Sequence, residues 1–216
     1  VTIQVYNNEN SQYLELRGIE CAVAQPNTVL LTGPETVTIG DEAAYNVLVR
    51  HAKNLVTATV TLQISGLEQP VVEAMNGFFV IGQTYRDGTL QVVLGNNQGL
   101  YAESATEILR VTLQTGRKAA EASVELTGAV FSGYGEGLTE IFLPVTLETT
   151  QVRTQVQYSL YDVNQDGTVN LLDITRAQRA YGAAEGDTNW NARADVNRDG
   201  VVDINDLIMI LNHYSK

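Results

Sequence analysis

Two stretches of the chain carry acids at a spacing that does chemistry: Asp162-Val163-Asn164-Gln165-Asp166-Gly167-Thr168-Val169-Asn170-Leu171-Leu172-Asp173, and Asp195-Val196-Asn197-Arg198-Asp199-Gly200-Val201-Val202-Asp203-Ile204-Asn205-Asp206. Both read D-x-N-x-D-G-x-V-x-x-x-D. The chemistry implied is calcium coordination, because that ion takes several hard oxygen ligands from one short loop. The side chains of Asp162, Asn164 and Asp166, and of Asp195, Asn197 and Asp199, come first. Gly167 and Gly200 make the sharp turn. The backbone carbonyls of Thr168 and Val201 follow, which leaves those two side chains free to differ. Asn170 and Asp203 ligate directly or through water, and Asp173 and Asp206 close each site. Surface turns also use Asp, Asn and Gly, but two copies in register leave turn chemistry alone an improbable account. The sequence thus predicts two calcium ions.

Short helices are expected after the loops, at 172–181 ended by Gly182 and at 205–214, with 186–191 joining the halves. Gln157–Tyr161 reads as extended and 191–194 is too short for a helix, so each unit is loop–helix, unlike the helix–loop–helix of an EF-hand. In the second helix Leu207, Ile210, Leu211 and Tyr214 make one apolar stripe for a small core. Ile204 and Ile208 fall on another face. Two readings stay open for that face: more core, or an exposed contact surface.

The elements that must carry these loops belong to a chain of 216 residues with a net charge of −12. That balance argues against nucleic acid, whose phosphates require a basic surface. No apolar run is long enough for a membrane helix. One cysteine, Cys21, excludes a disulfide framework and reads as a small buried apolar residue. The chain starts at Val1, which reads as a piece of a longer or processed protein.

Residues 1–27 hold two strand-like runs, 1–6 and 13–23, either the tail of a preceding domain or extra strands on the next. From 28 to 150 the apolar period is two, with turns at regular intervals. Val56, Ala58, Val60, Leu62 and Ile64 point one way, and Thr57, Thr59, Thr61, Gln63 and Ser65 the other. Leu90, Val92 and Leu94 alternate with Thr89, Gln91 and Val93, and Leu109, Val111 and Leu113 with Arg110, Thr112 and Gln114. Arg86-Asp87-Gly88 reads as a hairpin turn. Ile141–Leu147 is a late strand in which Pro144 marks an edge or a bulge. About nine strands and no long helix predict a mostly β fold, a β-sandwich or jelly roll. Residues 151–156 read as a linker and 157–216 as the loop–helix module.

The duplicated loop, each copy followed by one helix at the end of the chain, resembles a dockerin. The resemblance carries over the calcium ligands named above. It also places partner recognition at loop positions ten and eleven and on the helix beyond: Leu171, Leu172, Gln178 and Arg179 in the first half, Ile204, Asn205, Ile208 and Asn212 in the second. Dockerins often have small hydroxyl residues there, so the leucines imply a more apolar contact and two halves that are not interchangeable. The β-segment is similar to a cohesin in Thr32-Gly33-Pro34-Glu35-Thr36-Val37 before Gly40-Asp41, then Val47-Leu48-Val49 and Lys53-Asn54-Leu55. Cohesins are nine-stranded jelly rolls that hold a dockerin on one sheet face. The corresponding residues here are Thr57, Thr59, Gln91 and Val93, with Asn96 in a rim loop, 95–100.

Together the two resemblances imply a non-catalytic adaptor. It would hold the dockerin of another protein and plug into the cohesin of a scaffold, in the extracellular space of a bacterium or archaeon. A dockerin that fits the cohesin-like face of a second copy would give head-to-tail chains. An enzyme reading is weak: His51 and His213 stand in no metal-ligand spacing, and no nucleophile elbow occurs. The rival is a carbohydrate-binding module carried on a dockerin, with Tyr134 as the stacking candidate. Trp190 falls between the two predicted helices, where packing is its expected role.

Overall fold

The computed structural model describes residues 3–7, 12–16, 25–135 and 139–214. In chain order the strands are β1 (Ile3–Asn7), β2 (Gln12–Leu16), β3 (Asn27–Thr32), β4 (Thr36–Thr38), β5 (Glu42–Arg50), β6 (Ala52–Ser65), β7 (Leu67–Ala74), β8 (Phe79–Arg86), β9 (Thr89–Ala102), β10 (Thr106–Thr115), β11 (Ala120–Tyr134), β12 (Glu140–Leu143), β13 (Val145–Thr149) and β14 (Gln151–Gln157). Two helices follow, α1 (Leu171–Gln178) and α2 (Ile204–Asn212). The pair β1–β2 is an antiparallel sheet of its own and joins neither of the larger ones. Cys21 lies outside the described residues.

Two sheets face each other, as the period-two pattern predicts. One has the order β13-β3-β5-β10-β7 and the other β4-β14-β11-β6-β9-β8, with β12 pairing β11 beyond β14. Their inward rows form one core that includes Val47, Val49, Ala58, Val60, Leu62, Leu90, Val92, Leu94, Val111, Leu113, Val124 and Leu126. Alternation places apolar side chains on one face only, so each strand contributes every second residue. The alternation slips once in β6: the pairing with β9 shifts at Leu55, which brings Leu55 rather than Val56 into the core. Asp87 and Gly88, both at positive φ, form the expected two-residue turn between β8 and β9.

Tyr45 is fully buried, and its ring lies so close beneath Gly33 that a Cβ there would stand 2.3 Å from Cδ1. Its hydroxyl donates to Thr154, whose own hydroxyl donates to the Pro34 carbonyl at 2.7 Å. Burial pushes the Tyr45 phenol above its ordinary range, and the bond to Thr154 draws it partly back.

Two expectations are corrected. Residues 151–156 are not a linker: they lie in β14, which pairs antiparallel with β11 and parallel with β4. Polar and apolar residues alternate in Gln151-Val152-Arg153-Thr154-Gln155-Val156, and Thr154 and Val156 are buried. The alternation is weak in hydropathy because threonine fills an inward place. The late strand 141–147 is also two strands. Pro144 cannot donate to a ladder, and the chain changes sheets there, from β12 on one to β13 on the other. The Pro144 carbonyl instead accepts from the Asn27 backbone N–H and side-chain amide, at 3.0 and 2.9 Å.

Candidate functional site

Each acidic loop is built from its own side chains. Asp162 accepts from the amides of Asp166 and Gly167 at 3.1 and 2.8 Å, and Asp195 accepts from Asp199 and Gly200 at 3.1 and 3.0 Å. Asn164 and Asn197 accept from the Asp166 and Asp199 amides, and those two carboxylates accept from Thr168 and Val201. Gly167 and Gly200 have φ of 91° and 90°, the left-handed turn that favours glycine. The loops superpose in their bonding pattern as they do in sequence.

Loop and helix share residues. Asn170 caps α1 by accepting from the Leu172 amide, and Asp173 reaches back to the Asn170 amide at 2.8 Å. Asp203 and Asp206 do the same for α2. These are capping boxes with Asp in the third position. They set the helix starts at 171 and 204, one residue earlier than expected, and the helices end at 178 and 212. The [N/D]-x-x-D spacing that caps was already present in the sequence.

Asp162, Asp173, Asp195 and Asp206 are buried, and no ion pair among the described residues reaches them. Burial and the neighbouring Asp173 charge push the Asp162 carboxyl up, and amide hydrogen bonds from Gly167, Asp166 and Gln165 oppose that. Such charges need a cation or a proton. Among the described residues no three Asp, Glu, His or Cys side chains converge on one point. Each loop combines Asp with Asn oxygens and the carbonyl of Thr168 or Val201, the mixed hard-oxygen set that suits calcium. The residues present therefore fit the ion.

The small core of this module is filled by Val163, Val169, Val196 and Val202 from the loops, with Ala177, Ala180, Ala194 and Ile210, and Trp190 packs against them. Leu207 touches this core, but Leu211 and Tyr214 are exposed, which corrects the expected stripe. The loop valines leave less for the helices to supply. Leu171, Leu172, Ile204 and Ile208 all stay exposed, as do Gln178, Arg179, Asn205 and Asn212. Leu211 joins Ile204 and Ile208 at helical spacing, a face residue that the stripe reading missed.

On the sandwich, Thr57, Thr59, Gln91 and Val93 do lie on the outward face of the β8–β9–β6–β11 sheet. Thr57 donates to Ser132, which donates to Glu140 at 2.8 Å. Around them stand apolar residues that strand alternation alone did not single out. Phe79 and Ile81 cover Gly95, where a Cβ would lie 2.8 and 2.9 Å from their side chains. Val130 and Phe142 are exposed on the same face. Asn96 is the correction: it is 6% exposed, and 95–100 is not a rim loop but part of β9, where residues 95 to 100 run opposite only 57 to 55 of β6. That uneven pairing turns Asn96 off the face.

The two units meet directly. At Gly167 a Cβ would lie 3.0 Å from the Arg117 carbonyl and 3.3 Å from the Ile39 side chain, whereas at Gly200 it would meet nothing within 4 Å. Thr38, Ile39 and Asp41 of the sandwich face Tyr161, Asp162, Thr168 and His213 across a cavity of ≈ 240 Å³. The Tyr161 and His213 rings stack at 3.6 Å, tying the start of the first loop to the end of α2.

Comparison with known proteins bears on both units. Residues 160–214 match the dockerin type I domain. Two curated relatives from Acetivibrio thermocellus, cellulosomal-scaffolding proteins B and A, are each 23% identical over 160 residues, or 74% of this chain. The chain spans only 16% and 7% of their lengths. Among solved structures, a cohesin module from a Clostridium perfringens family 33 glycoside hydrolase aligns over 62% of this chain and 98% of its own, with 11% identity and a TM-score of 0.49. A type I cohesin from Pseudobacteroides cellulosolvens aligns over 62% and 93%, with 13% identity and a TM-score of 0.47. The duplicated loops, their capping boxes and the matched segment coincide: residues 160–214 form a dockerin type I domain, of the calcium-binding kind.

Proposed function

We propose that this protein is a non-catalytic adaptor of an extracellular multi-enzyme assembly. Its dockerin, holding two calcium ions through Asp162, Asn164, Asp166, Thr168, Asn170 and Asp173 and through Asp195, Asn197, Asp199, Val201, Asp203 and Asp206, plugs into the cohesin of a scaffold. Its sandwich receives the dockerin of another protein on the sheet face around Thr57, Thr59, Gln91 and Val93. The domains run 27–157 and 158–214, since β14 belongs to the sandwich. The observation that carries the plug is the set of large apolar side chains, Leu171, Leu172, Ile204, Ile208 and Leu211, left exposed once the core is filled. Exposed apolar residues of that size mark contact surfaces. For the receptor, the support is the face of Phe79, Ile81, Val130 and Phe142 around a threonine row, together with the cohesin-like sequence that begins at Thr32. The relatives, both named as cellulosomal-scaffolding proteins, fit this reading.

Both surfaces are apolar, so this dockerin on the face of a second copy gives head-to-tail chains, a heterologous contact that does not close. Titration of residues 27–157 against a panel of dockerins by calorimetry tests the receptor. Binding that is lost with Phe79→Ser supports it, and no binding to any dockerin refutes it. Light scattering of the whole chain with calcium tests self-association: a mass that grows with concentration supports chains, and a constant monomer mass excludes them.

A further inference from the structure

The extra residues of β9 build something. Opposite 57 to 55 of β6, the stretch 95–100 bulges outward and walls a concave surface of ≈ 550 Å³, within the range of about 300–1,000 Å³ typical of ligand pockets. Its lining is Asn76, Gly77, Asn96, Asn97, Gln98, Gly99, Leu100 and Tyr101. Four are side-chain amides, one is aromatic and none is charged.

The wall is held by positions of positive φ: Asn76 at 51°, Gly77 at 81° and Gly99 at 70°. Asn76 adopts the left-handed region that asparagine tolerates well. Its amide N–H₂ donates to the Glu107 carbonyl at 2.7 Å, which fixes the orientation and leaves Oδ1 without a partner among the described residues. Asn96 is 94% buried, as its 6% exposure requires, and its Oδ1 accepts from the Gln98 amide at 3.0 Å. That bond leaves the Asn96 Nδ2 turned toward Gly77, where a Cβ would stand 3.5 Å from it, at the cavity wall. Tyr101 is 70% exposed at the rim.

Planar amides with a fixed acceptor and a fixed donor match the vicinal hydroxyl pairs of a sugar, each of which both donates and accepts. An exposed tyrosine ring matches the apolar C–H face of a pyranose. The absence of charge in the lining excludes an anionic ligand as the natural fit. We propose that this concavity is a binding site for a neutral polysaccharide, with Asn76 and Asn96 reading hydroxyls and Tyr101 as the stacking platform. The lining of the site shares no residue with the outward face of Thr57 and Thr59, so it adds a ligand to the sandwich whether or not that face holds a dockerin.

The test uses the whole chain with calcium and three neutral probes: cellohexaose, xylohexaose and mannohexaose. Isothermal calorimetry is expected to detect at least one, with affinity at least about 10-fold weaker in Tyr101→Ala, that is about 1.4 kcal/mol. Asn97→Ala, on an exposed residue, is expected to weaken binding with the melting temperature unchanged. Phe79→Ser is expected to leave sugar affinity unchanged, which separates this site from the dockerin-binding face. No heat with any of the three probes, or binding indifferent to both Tyr101→Ala and Asn97→Ala, overturns the proposal. So does binding of a neutral peptide in place of all three sugars.

Discussion

At the scale of single residues, two kinds of buried polar group set what the protein needs from its surroundings. The buried loop aspartates need a cation or a proton. Replacing Asp166 or Asp199 by Ala is expected to lower the calcium stoichiometry, measured by calorimetry, from two ions to one, with the other loop still loaded. Tyr45 needs its proton. Its folded pKa stands above the unfolded value of about 10, so its contribution is complete below that value and is lost as the pH rises through the folded one. Thermal melts between about pH 9 and about pH 12 are expected to fall more steeply for the wild type than for Tyr45→Phe. The turns that the loop aspartates build were legible in the sequence because their spacing specifies them. Tyr45 was not, since its role comes from Thr154 and Pro34, which lie far away in the chain. The resemblance puts Asn96 in a rim loop, and an uneven pairing with β6, invisible in hydropathy, places it instead inside β9 at the wall of a cavity.

At the scale of elements, the strands with clean alternation were legible almost to the residue, and the misreadings share one cause. Where threonine or proline stands in a strand, the hydropathy signal fades although the backbone still pairs. β14 is the case that matters most. Thr154 and Val156 enter the sandwich core region from it, and it bonds to β11 on one side and β4 on the other. A fragment ending at 150 leaves both neighbours with an open edge, so it is expected to melt well below a fragment ending at 157, or to aggregate. Circular dichroism of the two fragments checks this. In the helices, the capping boxes mean that each loop's closing aspartate also starts a helix, so calcium at the proposed sites is expected to form together with the helix. Removing calcium with a chelator is expected to reduce helical signal at 222 nm while the β-sheet signal of the sandwich persists, because binding free energy is folding free energy in so small a module.

At the scale of the whole molecule, the order of parts was legible and their relation was not. A sequence read as sandwich, linker and plug suggests two bodies on a string. In the structure β14 runs to Gln157, and only Tyr158, Ser159, Leu160 and Tyr161 separate it from the first residue of the first loop, Asp162. Tyr158 packs on the sandwich core, and the first loop rests on Ile39 and Arg117. The two proposed contact surfaces are thus held at a set angle, which would give a head-to-tail chain a regular pitch. The missing linker has another consequence. Proteases cut where backbone is exposed and free to extend, and multi-domain proteins usually offer that between their domains. Here the junction offers a paired strand followed by a half-buried turn. With calcium bound, limited digestion is expected to spare this junction. If the first loop holds calcium as proposed, a chelator is expected to loosen it from Ile39 and Arg117 and make the same four residues the point of cleavage, so the ion would guard the peptide bonds that keep sandwich and dockerin domain in one chain.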